Sequence, residues 1–358
     1  MKKILILETS AFYGRQSGGS YLQANYYKKK FKKKGYKVEF YIGNKKDGIG
    51  RRYIDVIKKI IKTDYLIGFG TPMLASYLQW LSFLFRRKGV FCIDTIITSI
   101  EIIKDNINKG IFSVSLIRQN LRTLLLHYFF SIFIPPHQNL INISSCAFIR
   151  KKLINTSFLT NKSKILYPRV KLEKREQSVG NNKVLFYGTL YRGRGIIDLV
   201  KACRILWDKQ FQFNLEILGW PVEPFTKRTL LQEIKKKYKD KIILKEKVKN
   251  IYHYLRRVTV VVLPFRYPCS FQTPYTLLEP MGLGIPVITT NVGSHGEWIK
   301  HNNTGLICKK EDPMDIALEI ETVFNNPLLV EKITHNAYVL LEKRFKKDDV
   351  LIDMFDNL

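Results

Sequence analysis

The stretch TPYTLLEPMGLGIPVITTNVGSHGEWI, Thr273 to Ile299, decides the fold. Its first part is an apolar run that carries a single acid, Glu279, beside Pro280. Proline deep inside a helix removes a backbone hydrogen bond, so Pro280 predicts a helix that holds Glu279 near its start. A Gly–Pro turn follows, then the short apolar run Val287–Thr290. A Gly-rich loop, Gly293 to Gly296, comes next, and a second acid, Glu297, closes it eighteen residues after the first.

Outward from this stretch, short apolar runs alternate with longer amphipathic segments, the rhythm of a parallel sheet with covering helices. Upstream the order is KVLFYGTL, a helix in GIIDLVKACRILWDK, FNLEILG, a basic helix in KRTLLQEIKKKYKD, KIILKE, a helix around Ile251–Arg257, and VTVVVLPF. The chain opens with the same rhythm: KILILET, the loop YGRQSGGS, a helix in YLQANYYKKKFKKKG, and the strand KVEFYIG. DYLIGFG, GVFCIDTI and NLINISS read as further strands, and Leu116–Phe133 as an amphipathic helix stopped by Pro135 and Pro136. Tyr167–Lys183 is polar and ends in a Gly-Asn-Asn turn, which marks a linker. The expected layout is a Rossmann-like domain over 1–170, a linker over 171–183, a second Rossmann-like domain over 184–340, and a C-terminal helix over 341–358 that packs back toward the first domain. The fold class is α/β, two parallel sheets facing a central cleft.

The length of 358 residues suits two domains, and 46% hydrophobic content is ample for their cores. No apolar run reaches the roughly 18 residues of a membrane span, and the start reads as a strand rather than a leader. The five cysteines are scattered and form no Cys-x-x-Cys pair, so free core thiols in a reducing compartment are expected. The net charge of +30 is uneven: residues 1–170 carry 30 Lys and Arg against 8 Asp and Glu. Such a field attracts anionic membranes, nucleic acids or phosphorylated substrates.

Several segments together carry a resemblance. VLFYGTLYRGRGIIDLVKA (Val184 to Ala202), LEILG, VVVLPF, LLEPMGLGIPVITTNVGSHGEWI and NNTGLICKKEDPMDIA occur in the order found in the nucleotide-sugar domain of retaining GT-B glycosyltransferases of the family 4, or group 1, type. SGGSYLQANYYKKKFKKKGYKVEFY and INISSCAFIRKKL resemble parts of that family's N-terminal domain. The resemblance implies a GT-B fold and transfer of a hexosyl group from a nucleotide-diphosphate sugar, a UDP- or GDP-sugar, with retention. It implies no metal or other cofactor.

Carried over residue by residue, Glu279 would bind the nucleotide ribose, and Arg194 would stand on the diphosphate, helped by Arg192; these two positions, Arg194 and Glu279, are the catalytic candidates. Gly188 and Gly195 would allow close backbone approach, and Thr189 stands where the family usually has Arg. Thr273, Pro274, Tyr275 and Thr276 would line the donor site with Gly293 and Ser294. Gly18 and Gly19, after the first strand, would approach the diphosphate, and Asp94 would lie near the acceptor. Phe271 replaces the acid that in relatives reaches the donor sugar. A lone His295 reads as structural.

On the acceptor side, Lys28, Lys29, Lys32 and Lys33 belong to a basic cluster interleaved with Tyr26, Tyr27 and Phe31. Such surfaces bind anionic bilayers, so a lipid-linked or membrane-associated glycan acceptor is expected, with the protein cytoplasmic and peripheral on the inner membrane face. Two alternatives stand beside this reading. One is a nucleic-acid-binding or DNA-modifying protein drawn by the same charge, and the other a nucleotide-sugar epimerase of the same fold.

Overall fold

The chain closes two parallel sheets, each from short apolar strands covered by helices. The computed structural model describes residues 2–12, 19–70, 77–93 (except 79 and 83), 140–151 (except 145, 148 and 149), 164–173, 182–219, 224–246 (except 235 and 236), 248, 250–266, 273–346 and 350–356. The expected helix over Leu116–Phe133 lies outside the described residues, as do Gly18, Asp94, Cys269 and Phe271.

Two units divide the chain, one of Met1–Arg169 with Lys347–Leu358 and one of Val170–Lys346. The first is built from β1 (Lys3–Glu8), α1 (Thr9–Phe12), α2 (Gly19–Lys33), β2 (Lys37–Phe40), α3 (Ile49–Ile60), β3 (Tyr65–Gly70), β4 (Lys88–Ile93) and β5 (Leu140–Ser144). Its strands lie in the order β2-β1-β3-β4-β5, all parallel. The second holds β6 (Lys183–Tyr187), α4 (Ile196–Asp208), β7 (Asn214–Leu218), α5 (Pro224–Ile234), β8 (Ile242–Lys245), α6 (Ile251–Leu255), β9 (Val260–Leu263), α7 (Tyr275–Gly282), β10 (Val287–Thr290), β11 (Leu306–Cys308), α8 (Pro313–Asn325) and α9 (Pro327–Lys346). Its order is β11-β10-β9-β6-β7-β8, again parallel. A last helix, α10 (Val350–Asp356), returns to the first unit.

Packing explains why the chain divides where it does. Residues 171–173, within the expected linker, run along the second unit: Glu173 N donates to Gly282 O at 2.9 Å, and a Cβ on Gly282 would meet Lys171 O at 2.5 Å. Within the stretch 341–358, α9 is described to Lys346 and α10 over Val350–Asp356. In α10, Leu351, Ile352 and Phe355 are buried, and the Phe355 ring lies 4.5 Å from that of Tyr65 and 4.9 Å from that of Phe31.

The basic cluster of α2 differs from its expected form. Tyr27 and Phe31 are fully buried in the first unit's core, since the helical period that spaces them also turns them onto the sheet. Tyr26 stays half-buried. Lys29, Lys32 and Lys33 are exposed, while Lys28 is half-buried with its ammonium 5.5 Å from the Phe40 ring. Among the described residues no helix is long and apolar enough to cross a membrane.

Candidate functional site

In the second unit the strand order turns at β6, which has β9 on one side and β7 on the other. Open α/β sheets hold ligands in the crevice outside the carboxyl ends of strands at such a point. The segments that leave these ends are Tyr187–Gly188 from β6 and Pro264–Arg266 from β9.

After Gly188 the chain forms a 3-10 turn, Arg192–Arg194, and enters α4 through Gly195. Gly195 has φ +69, and a Cβ there would sit 2.0 Å from Pro264 O, so only glycine fits. Arg266 N donates to Gly193 O at 2.9 Å. The Arg266 guanidinium grips the buried Asp198 of α4 through Nε and Nη2 at 2.7 and 2.6 Å, and its Nη1 lies 3.1 Å from Glu311. The bidentate fork fixes the turn against the strand end. Neither Arg266 nor Asp198 was singled out from the sequence. Their signals were a cation just after the VVVLPF strand and an acid in the first turn of α4, the helix that follows the KVLFYGTL strand.

Held this way, Arg194 lies over the Phe265 ring at 4.9 Å and the Tyr191 ring at 5.5 Å. Its Nε and Nη1 are buried and have no hydrogen-bond partner. Gly188 makes room for it: at φ +123, an added Cβ would fall 2.7 Å from Arg194 Nη1 and 3.4 Å from Thr276 Cγ2. Thr276 Oγ1 is also buried without a partner. Orphaned polar atoms of this kind are costly in a folded protein, and these gather around one glycine.

Glu279 stands on the same helix as Thr276, one turn on. Tyr187 Oη donates to its Oε2 at 2.9 Å, and the two side chains are 5% and 7% exposed. Burial raises the Glu279 carboxyl from its ordinary value of 4.5 to about 7, against the opposing hydrogen bond from Tyr187. Burial, the neighbouring Glu279 charge and the shared hydrogen bond push the Tyr187 hydroxyl far up. Among the described residues no ion pair joins Arg194 to Glu279. The expectation that Glu279 lies near the start of its helix is corrected: it is the fifth of eight residues in α7, and the first turn holds no acid. Pro274 takes the N-cap, so the helix starts earlier, and Pro280 stands at its sixth position, where it has no N–H to give the Thr276 carbonyl. Pairing with the helix dipole therefore does not explain this acid.

The remaining expected site residues fall in two groups. Thr273 and Ser294 are brought together, but their hydroxyls serve each other at 3.1 Å, and Trp298 Nε1 donates to Thr273 Oγ1 at 2.8 Å. His295, buried, sits 2.9 Å by Nδ1 from Thr289 Oγ1, which itself donates to Leu263 O at 2.8 Å. That hydroxyl proton is spent, so the ring donates from Nδ1. Burial lowers the imidazole to about 3, with the Thr290 carbonyl opposing and the Arg194 charge adding, so it stays neutral. Gly293, at φ +56, precedes this turn, and Arg344 of α9 clamps it by donating to Glu297 O at 2.8 Å while lying 4.2 Å over Trp298. Thr189 is exposed, Arg192, Tyr275 and Thr276 are half-buried, and Gly19 opens α2 in the first unit.

Two parallel-sheet Rossmann-like units, one with a switch-point site of this composition, define the GT-B class of fold. Residues 170–339 match the model of the family described as glycosyl transferases group 1. The capsular polysaccharide biosynthesis glycosyltransferase CapM of Staphylococcus aureus is 26% identical over 174 residues, 48% of this chain and 45% of the relative. The chain thus spans about half the length of the curated relatives it matches. Among solved structures, Anabaena Alr3699/HepE in complex with UDP and glucose aligns over 100% of both chains with a TM-score of 0.75 at 16% identity. Sucrose-phosphate synthase from Thermosynechococcus elongatus does so with a TM-score of 0.71 at 13% identity. At these identities the structures speak for the fold.

Proposed function

We propose that the protein is a glycosyltransferase that moves a hexosyl group from a nucleoside-diphosphate sugar, UDP- or GDP-linked, to a glycan acceptor. The observation that carries this reading is the guanidinium of Arg194, whose Nε and Nη1 are buried without partners beside the equally unpartnered Thr276 hydroxyl. A diphosphate supplies what these donors lack, and Gly188 leaves the approach open. Glu279, with no donor on Oε1 among the described residues, accepts from the ribose hydroxyls.

In transfer, an acceptor hydroxyl oxygen bonds the sugar's anomeric carbon as that carbon's bond to the diphosphate oxygen breaks. The hydroxyl proton goes to the departing diphosphate, on whose oxygen negative charge grows. Arg194 and Thr276 stabilise that charge, and the rings of Tyr191 and the buried Phe265 beside the guanidinium strengthen the effect. Arg192, Thr189, Gly195, Pro274, Tyr275, Gly293 and Ser294 complete the donor surface as backbone and edge contacts; Gly18 and Gly19 belong to the diphosphate approach and Asp94 to the acceptor side. Retention of configuration follows the family pattern, and no metal is assigned. The lysines of α2 (Lys28, Lys29, Lys32 and Lys33) bring the enzyme to an anionic inner membrane face, where a lipid-linked glycan is the acceptor.

UDP, GDP and their sugars, screened by thermal shift against wild type and Arg194→Ala, test the reading. A nucleotide that stabilises wild type but not the variant supports it. In turnover, Arg194→Ala is expected to lower kcat by about 10²–10³. Equal stabilisation of both proteins would place the nucleotide elsewhere.

A further inference from the structure

We propose that Tyr187 is a positioning residue for nucleoside capture: its hydroxyl holds Glu279 by Oε2 and leaves Oε1 to the sugar hydroxyls of the nucleotide. The inference rests on the donor reading above. A buried tyrosine hydroxyl needs a partner, and here the partner is the site acid itself, 92 residues away in sequence. An ionised carboxylate has about four lone-pair positions. Tyr187 occupies one of them, and Oε1 with the rest of Oε2 suffices for a vicinal diol.

The other groups around the carboxyl do not duplicate this bond. Tyr252 of α6 feels the Glu279 charge, but its hydroxyl accepts from Lys171 N at 3.3 Å, with Glu173 next along that segment. Arg194 acts on Tyr187 from the 3-10 turn. Tyr187 alone among the described residues hydrogen-bonds Glu279, and its bond favours the ionised form while burial opposes it. A diol donates to the ionised form. Tyr187 therefore sets both the direction in which the carboxylate faces and the pH at which it can serve.

The test compares the affinities of UDP and GDP with those of their 2′,3′-dideoxy analogues by calorimetry, between about pH 5.5 and 8.5. The ratio of the two cancels the titration of the phosphates and isolates the diol. In wild type it should climb through about pH 7. In Tyr187→Phe the climb should move to higher pH, with the ratio at pH 7 lower by on the order of fivefold. Binding with an unchanged profile in Tyr187→Phe overturns the role of Tyr187 and leaves the donor reading standing. If neither nucleotide binds wild type, the donor reading falls and this role with it.

Discussion

Glu279 holds its proton more tightly in the folded chain than in the unfolded one, and this has a sign. Its value rises from 4.5 to about 7 on folding, so the unfolded state gives up its proton first as pH climbs. Stability tied to this group is present below about 4.5 and lost as pH rises through about 7, by about 3 kcal/mol in all. Glu279→Gln, which can still accept from Tyr187, is expected to melt higher than wild type at pH 8 and equally at pH 4.5. Differential scanning calorimetry at the two values decides it; a variant less stable at pH 8 would contradict the burial argument. Glu279 was legible as the one acid in an apolar run, and Arg194 as the cation of a Gly-Arg turn. Tyr187 was not, because a strand residue and a helix residue 92 positions apart share no local pattern.

The 3-10 turn Arg192–Arg194 has no hydrophobic content of its own, so its shape depends on what grips it. The Asp198–Arg266 fork is nearly buried, and removing one partner leaves an uncompensated charge. Arg266→Ala is expected to cost about 3–5 kcal/mol in urea unfolding and to weaken nucleotide binding with it. Gly195→Ala should be at least as damaging, since its Cβ would strike Pro264 O. Gly35→Ala, just past the end of α2, also has a positive φ, +86, but meets nothing within 4 Å, and should cost only about 1 kcal/mol. Equal losses at the two glycines would refute the steric account. Strands were readable as short aliphatic runs because parallel strands are covered on both faces. The placing of Glu279 near the start of α7 failed, because α7 carries Pro280 at its sixth position, past the first turn where proline costs little.

At the scale of the molecule, the chain leaves the first unit once and returns to it with α10. The sequence predicts a C-terminal helix over 341–358 that packs back toward the first domain. Which rings receive it, Phe31 and Tyr65, is decided by tertiary packing that no local period reveals. Deleting residues 347–358 uncovers them and removes the buried Leu351, Ile352 and Phe355, about 5 kcal/mol or more of apolar burial from the first unit. Calorimetry of the shortened chain should show a lowered transition for the first unit, while the UDP-stabilised transition of the second unit keeps its temperature. Loss of both together would mean that the units do not fold separately. The most direct test of the donor site is a crystal structure with UDP or GDP bound. The account predicts diphosphate oxygens within about 3.2 Å of Arg194 Nη1 and Thr276 Oγ1, and ribose hydroxyls on Glu279. A nucleotide seated elsewhere, with Arg194 still unpartnered, would contradict it.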